Sequence, residues 1–166
     1  MIALSIDDLK SFTQKLFLGT DFDDFLLTEA KIVTFNTFTI DGHVRRGFYT
    51  EEEAGELKLQ ECSFWKTIRP ICFSLIKGKR LPGSFHISLQ ANHQQMEDFL
   101  TSRQILAISS EQIKGLYLHI RYDDGKLFCI TGSSLAVFTM DKTLEREWDT
   151  YVEDFLKQTG IAAIRE

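Results

Sequence analysis

The chain has 166 residues, 43% apolar and 26% charged, with a net charge of −5. That composition excludes a disordered tail, a collagen-like repeat and a disulfide-stapled mini-protein. It leaves a single globular domain over residues 1–166, long enough to bury roughly 70% of its extended surface.

From the N-terminus, Ser5 reads as an N-cap with Asp8 as its capping-box acid, and Leu9, Phe12 and Leu16 follow at helical spacing. A helix is expected over 6–18, ended by Gly19. Residues 26–40 are rich in Thr, Val, Ile and Phe and read as strand, with a phase change at Asn36-Thr37 that suggests a bulge. Asp41-Gly42 is a two-residue hairpin signal, with a return strand over 43–49. Residues 51–61 hold five Glu against one Lys and read as a solvated loop or frayed helix.

Ser63 is expected to cap a second helix with an apolar stripe of Phe64, Ile68, Ile71, Cys72 and Leu75. Pro70 inside that pattern marks a kink or the true start, and Gly78 the end. Phe85, Ile87 and Leu89 alternate with polar residues as in a half-buried strand. Asn92 caps a short helix carrying Met96, Phe99 and Leu100. A second hairpin turns at Asp124-Gly125, with Leu116, Leu118, Ile120 and Tyr122 on one side and Tyr117, His119 and Arg121 on the other. A further strand is expected over 135–140, after a turn at Gly132–Ser134. The last helix is capped by Asp141 or Thr143 and buries Leu144, Trp148, Val152, Phe155 and Leu156. The order α-β-β-α-β-α-β-β-β-α contains no βαβ alternation. The expected fold is α+β: a mainly antiparallel sheet built from hairpins, with helices packed on one face, an N-terminal and a C-terminal helix among them.

Three stretches occur together: Thr34-Phe35-Asn36-Thr37-Phe38-Thr39-Ile40-Asp41-Gly42, Ile76-Lys77-Gly78-Lys79-Arg80, and Asp141-Lys142-Thr143-Leu144-Glu145 running into Trp148-Asp149. In these the chain resembles a family of short uncharacterised proteins from anaerobic Gram-positive bacteria, a domain of unknown function. The likeness covers nearly the whole chain in the same order. It implies a single-domain bacterial cytoplasmic protein and brings no known activity.

Charge is segregated along the chain. Residues 62–96 contain no Asp or Glu but carry Lys66, Arg69, Lys77, Lys79 and Arg80. This window is +5, and the other 131 residues sum to −10. Lysines at the end of a helix stabilise its negative pole, which is the ordinary reading of Lys77–Arg80. The functional reading is an anion or nucleic-acid site formed by Lys77, Lys79 and Arg80, extended by Arg45 and Arg46 if the fold brings them near. The Glu51–Glu61 stretch is an alternative occupant of that basic segment.

Other chemistries find little support. Cys62, Cys72 and Cys129 make an odd set without a C-x-x-C pair, so three free thiols are expected rather than a zinc site. No metal or other cofactor is expected, because the calcium-loop, GxGxxG and Walker patterns do not occur. His86 and His119 sit on polar phases of strands. No apolar run approaches the ~20 residues of a membrane span, and Met1–Asp8 does not read as a signal sequence. A soluble cytoplasmic protein with no membrane partner is expected. The leading functional expectation is a non-catalytic interaction or accessory domain that binds a protein partner or a second copy of itself. Its mark is an exposed apolar patch, for which Tyr117, Phe128 and Ile130 on an uncovered sheet face are candidates. A phosphate-ligand or nucleic-acid binder using segment 66–80 is the alternative, and an enzyme with an unrecognised site the second alternative.

Overall fold

Alternation of apolar and polar residues along seven segments produces one antiparallel sheet in the computed structural model, which describes residues 1–166. The strands are β1 (Ala3–Ile6), β2 (Leu26–Val33), β3 (Thr37–Asp41), β4 (Ser84–Gln90), β5 (Ile113–Asp123), β6 (Lys126–Leu135) and β7 (Ala163–Arg165). Their spatial order is β3-β2-β4-β5-β6-β1-β7. Five helices join them: α1 (Leu9–Phe17), α2 (Glu51–Glu56), α3 (Trp65–Ile76), α4 (His93–Ser102) and α5 (Thr143–Gln158). The α+β class, the antiparallel sheet and the one-sided helices agree with the sequence.

One phase of each central strand enters the core. β2 contributes Ala30 and Ile32, β4 Phe85, Ile87 and Leu89, and β5 Leu116, Leu118, Ile120 and Tyr122. β6 adds Leu127 and Cys129, and β1 adds Leu4 and Ile6. Helix α1 covers this face with Phe12, Leu16 and Phe17, α3 with Trp65 and Cys72, and α5 with Leu144, Trp148, Val152 and Leu156. Both indoles are hydrogen-bonded as well as buried. Trp65 Nε1–H donates to the Leu16 carbonyl and Trp148 Nε1–H to the Tyr117 carbonyl, each at 2.9 Å. A buried Tyr or Trp without such a partner would carry a desolvation penalty.

Several boundaries differ from the sequence reading, each for a physical reason. Ser5 is not a cap. Leu4 and Ile6 alternate into the core, so residues 3–6 form β1 between β6 and β7, and Asp8 caps α1 by accepting from the Ser11 amide at 3.0 Å. The reversal expected at Asp41-Gly42 falls earlier. β2 and β3 pair as far as Val33↔Thr37, so the three-residue loop 34–36 is the turn and the phase change at Asn36 is not a bulge. The irregularity of β2 lies instead between Leu27 and Glu29, opposite β4. Gly42 serves close approach: a β-carbon there would sit 1.7 Å from the Leu27 carbonyl oxygen.

The return strand over 43–49 is reduced to a single bridge, His43↔Cys62, followed by a short 3-10 turn at Arg46–Phe48. Ser63 does not cap α3, because its backbone is spent at the edge of the sheet: its amide donates to Gly42 and its carbonyl accepts from Leu27. Phe64 is the N-cap, Pro70 lies inside the helix, and Ile71 points outward. Gly132–Ser134 is not a turn. β5 reaches back to Ile113, so β6 keeps a partner through Leu135 and the expected strand 135–140 does not form. Asn92 does cap α4 in a full capping box, and Asp124 and Gly125 both take positive φ in the expected hairpin.

Phe22 joins α1, the residue before β2, and α5 through one aromatic cluster. It is fully buried, with ring centroids 5.6 Å from Phe12, 6.5 Å from Phe25 and 5.4 Å from Phe155. Phe22→Ala is expected to destabilise the protein by about 3–5 kcal/mol. The check is urea unfolding, with a lower midpoint and an unchanged m-value.

Candidate functional site

Two surfaces stand out, one where the β5–β6 ladder ends and one on the uncovered face of the sheet. At one end, β5 and β6 finish together at Ile113↔Leu135 and the chain runs on past them. The last bond beyond the ladder is from the Ala136 amide to the Gln112 carbonyl, and residues 136–142 then have no strand beside them. An apolar sequence without a partner strand turns its side chains to water. Phe138 is 92% exposed and Met140 85%, and Leu106, on the connection after α4, is 94% exposed. Leu106, Val137 and Phe138 border a hollow of about 500 Å³ between the 103–108 connection, the 135–139 segment and the start of α5.

The charged residues of this hollow are Arg103, Asp141 and Glu147. Arg103 is held by Asp154 at 2.8 Å and Glu147 at 3.5 Å, and lies 5.9 Å from the Tyr151 ring. Asp141 accepts from the Thr143 amide at 2.9 Å and the Thr143 hydroxyl at 2.7 Å, which holds its carboxyl below the usual range. The sequence carried the apolar residues 135–140 but not the length of β5, so these residues read as a strand.

The second surface is the uncovered face of the sheet. Register places Lys31, His86, Arg121 and Phe128 in one row across β2, β4, β5 and β6. Ser88, His119 and Ile130 form the next row. Arg121 Nε–H donates to His86 Nε2, and Ser88 Oγ shares a proton with His119 Nδ1 at 2.9 Å. The Tyr117 and His119 rings stack at 5.8 Å. Burial lowers the pKa of both imidazoles. For His86, the charges of Arg121 and Lys31 lower it further, and for His119 so do His86 and Arg121. Burial raises the Tyr117 phenol, as does the Glu61 carboxylate. Tyr117, Phe128 and Ile130 are only half-buried on this face, whereas Leu106, Phe138 and Met140 at the other surface are almost fully exposed.

The five basic candidates do not converge. Gly42 bonds to Thr28 and Ser63, which puts Arg45 and Arg46 at one end of β2; there the Arg46 guanidinium donates to the Leu59 carbonyl at 3.1 Å. Gly83 bonds to Val33, which puts Lys77, Lys79 and Arg80 at the other end. The twelve residues of α3 run between the two groups, a span of about 18 Å. Helix α2, with Glu51, Glu52 and Glu53, follows Arg45 and Arg46 and makes no ion pair with the basic segment. Within that segment Arg69 is spent on Asp23, at 2.9 and 3.0 Å, and Lys66 lies over the Phe64 ring. Lys77, Lys79 and Arg80 are exposed and enter no ion pair.

Comparison with known families matches residues 15–163. The chain belongs to DUF5721, a family of unknown function. The matched span contains all three stretches that carried the resemblance. No curated protein and no solved structure matches the chain.

The cysteines behave as buried groups. All three thiols are free and buried. Burial pushes Cys72 up to about 12, and burial with the Glu61 and Asp41 charges pushes Cys62 up to about 11. A native-state thiol titration with a disulfide reagent is expected to show no fast-reacting group, and three after denaturation. The imidazoles set a pH slope. Below the ordinary histidine value of 6.5, the unfolded chain takes up protons that folded His86 and His119 resist. Stability is therefore expected to fall as pH drops through 6.5. His119→Gln should flatten that slope in urea midpoints measured between pH 7.5 and 5.5.

Proposed function

We propose that the protein is a non-catalytic interaction domain that holds a partner protein at the apolar end formed by Leu106, Val137, Phe138 and Met140. The observation that carries this reading is the near-complete exposure of Leu106 and Phe138 at the border of a hollow of about 500 Å³. Large apolar side chains grouped around a concavity are a common form of protein-binding surface. Burying such a side chain against a partner contributes roughly 1.5–3 kcal/mol. The occupant we infer is a segment with apolar side chains for the hollow and flanking basic residues for Asp141 and Glu147. A bacterial cytoplasmic setting belongs to the same proposal. It is supported by the resemblance given above, by three free thiols and by the absence of any helix long and apolar enough to cross a membrane.

One observation favours a second reading. Lys77, Lys79 and Arg80 are exposed and without acidic partners, as an anion or nucleic-acid site would require. Its binding would weaken steeply with salt.

The two readings separate in one experiment. Tagged wild-type protein, Leu106→Ser/Phe138→Ser and Lys79→Glu/Arg80→Glu are compared by quantitative co-purification, with and without nuclease. A protein retained through nuclease treatment and reduced at least about tenfold by the first double variant is the expected result. Equal retention by wild type and that variant overturns the reading. Nuclease-sensitive capture lost only in the second variant establishes the alternative. Because the mutated side chains are exposed, both variants are expected to unfold within about 0.5 kcal/mol of the wild type.

A further inference from the structure

We propose that the uncovered sheet face holds a separate oxyanion site, in which Arg121, His86 and Lys31 bind the phosphate group of a small phosphorylated molecule. The inference uses none of the residues of the apolar end and stands or falls independently of it.

The argument starts from how Arg121 is spent. A surface arginine ordinarily pairs with a carboxylate. Here its Nε–H donates to a neutral ring nitrogen, His86 Nε2, and no carboxylate lies within ion-pair distance. Its two terminal nitrogens keep their protons free. An imidazole that accepts at Nε2 carries its proton at Nδ1, so His86 is turned into a donor at its other edge. Lys31 stands on the far side of His86, one strand over, and also enters no ion pair. At ~4.8 Å per strand, Lys31 and Arg121 are separated by ~10 Å with His86 between them. Three donors, two of them permanently charged, therefore line up across three strands with no anion to satisfy them.

The space fits a small ligand. His86 and Arg121 form a wall shared by two shallow hollows. One, of about 280 Å³, is bounded by Ser88, His119 and Ile130. The other, of about 180 Å³, lies toward Lys31 and Ser84 and is also lined by Asp123, which makes it the poorer seat for an anion. Ser88 fixes the His119 ring at 2.9 Å, and Tyr117 stacks behind it, its ring lying over Gly115, where a β-carbon would come within 2.4 Å. The larger hollow thus has one rigid wall. Ile130 and, in the next position, Phe128 give it an apolar side suited to the organic part of a phosphate ester.

The acidic groups on the face decide against a polyanion. Glu29 on β2 and Asp123 on β5 flank the cationic row, and their pull on His86 is weaker than the push of Arg121 and Lys31. Asp41, further out, is held by His43 at 2.7 Å. A nucleic-acid backbone laid across the row would run over these carboxylates, whereas a single phosphate group in the larger hollow, which neither of them lines, would not.

The test is an NMR titration of the histidine ring signals with inorganic phosphate and with phenyl phosphate, against sodium chloride at matched ionic strength. Saturable shifts at His86 and His119 with both phosphates, and not with chloride, are expected. Arg121→Gln should weaken binding at least about tenfold, Lys31→Gln less, and Arg121→Lys should restore part of the loss. Lys79→Gln/Arg80→Gln should leave it unchanged. Thermal melts identify any variant that fails to fold, and exposed Lys31 then reports in place of Arg121. Shifts that follow ionic strength alone, or Arg121→Gln and Lys31→Gln that both saturate like wild type, overturn the site. Loss of binding in Lys79→Gln/Arg80→Gln moves the site to the basic segment and overturns it equally. Phenyl phosphate binding no tighter than inorganic phosphate overturns the assignment of an ester.

Discussion

The helices lie on one side of the sheet only, and the surface around His86, His119 and Arg121 depends on that. An antiparallel sheet tolerates water on its second face, whereas a parallel one built from βαβ units is covered on both. β5 sits at the middle of the seven strands and sets the parity for the rest. Its even-numbered residues Leu116, Leu118, Ile120 and Tyr122 are buried, so Tyr117, His119 and Arg121 must face outward. Antiparallel register then delivers His86 and Ser88 from β4 beside them. The Trp148 indole bonded to the Tyr117 carbonyl locks α5 onto the same strand from the covered side.

The apolar end has a different origin. It arises because the β5–β6 ladder ends at Ile113↔Leu135, so the chain that runs on from β6 to α5 has no partner strand and leaves Val137, Phe138 and Met140 unpaired. Exposed apolar side chains of this kind carry a cost in solubility, and Asp141 and Glu147 put charge at the border of the hollow. The two surfaces differ in chemistry as well as place. One is apolar with negative borders, and the other is polar with an excess of unpaired cations.

Local signals were legible wherever the cause was local. The Asn92 capping box, the Asp124-Gly125 hairpin, the α5 stripe and the alternation of β4 each depend on neighbours a few residues away. The failures share a different cause. Residues 3–6 look like the lead-in to a helix until β6 and β7 offer them pairing on both sides. Asp41-Gly42 carries an ordinary turn signal, but the glycine is needed because two chains pass closely there. Residues 135–140 look like a strand, and only the length of β5 shows that no partner remains. In the candidate sites, the outward phase of His86, His119 and Arg121 could be read from alternation. That Arg121 meets His86 rather than a carboxylate could not, since the pairing joins residues 35 positions apart.

Composition, periodicity and turn chemistry by themselves determined the α+β class, the helix capped by Asn92, the existence of the C-terminal helix with its apolar stripe, the second hairpin and the segregation of positive charge into residues 62–96, because each depends on short-range patterns. Tertiary structure alone decided that Arg45 and Arg46 stand about a helix length from Lys77–Arg80, that Arg69 is spent on Asp23, and which apolar residues meet water. Those outcomes rest on strand order and register. Two strands with the same local pattern can take different neighbours, and the choice is made by the burial of the whole sheet face rather than by any one segment.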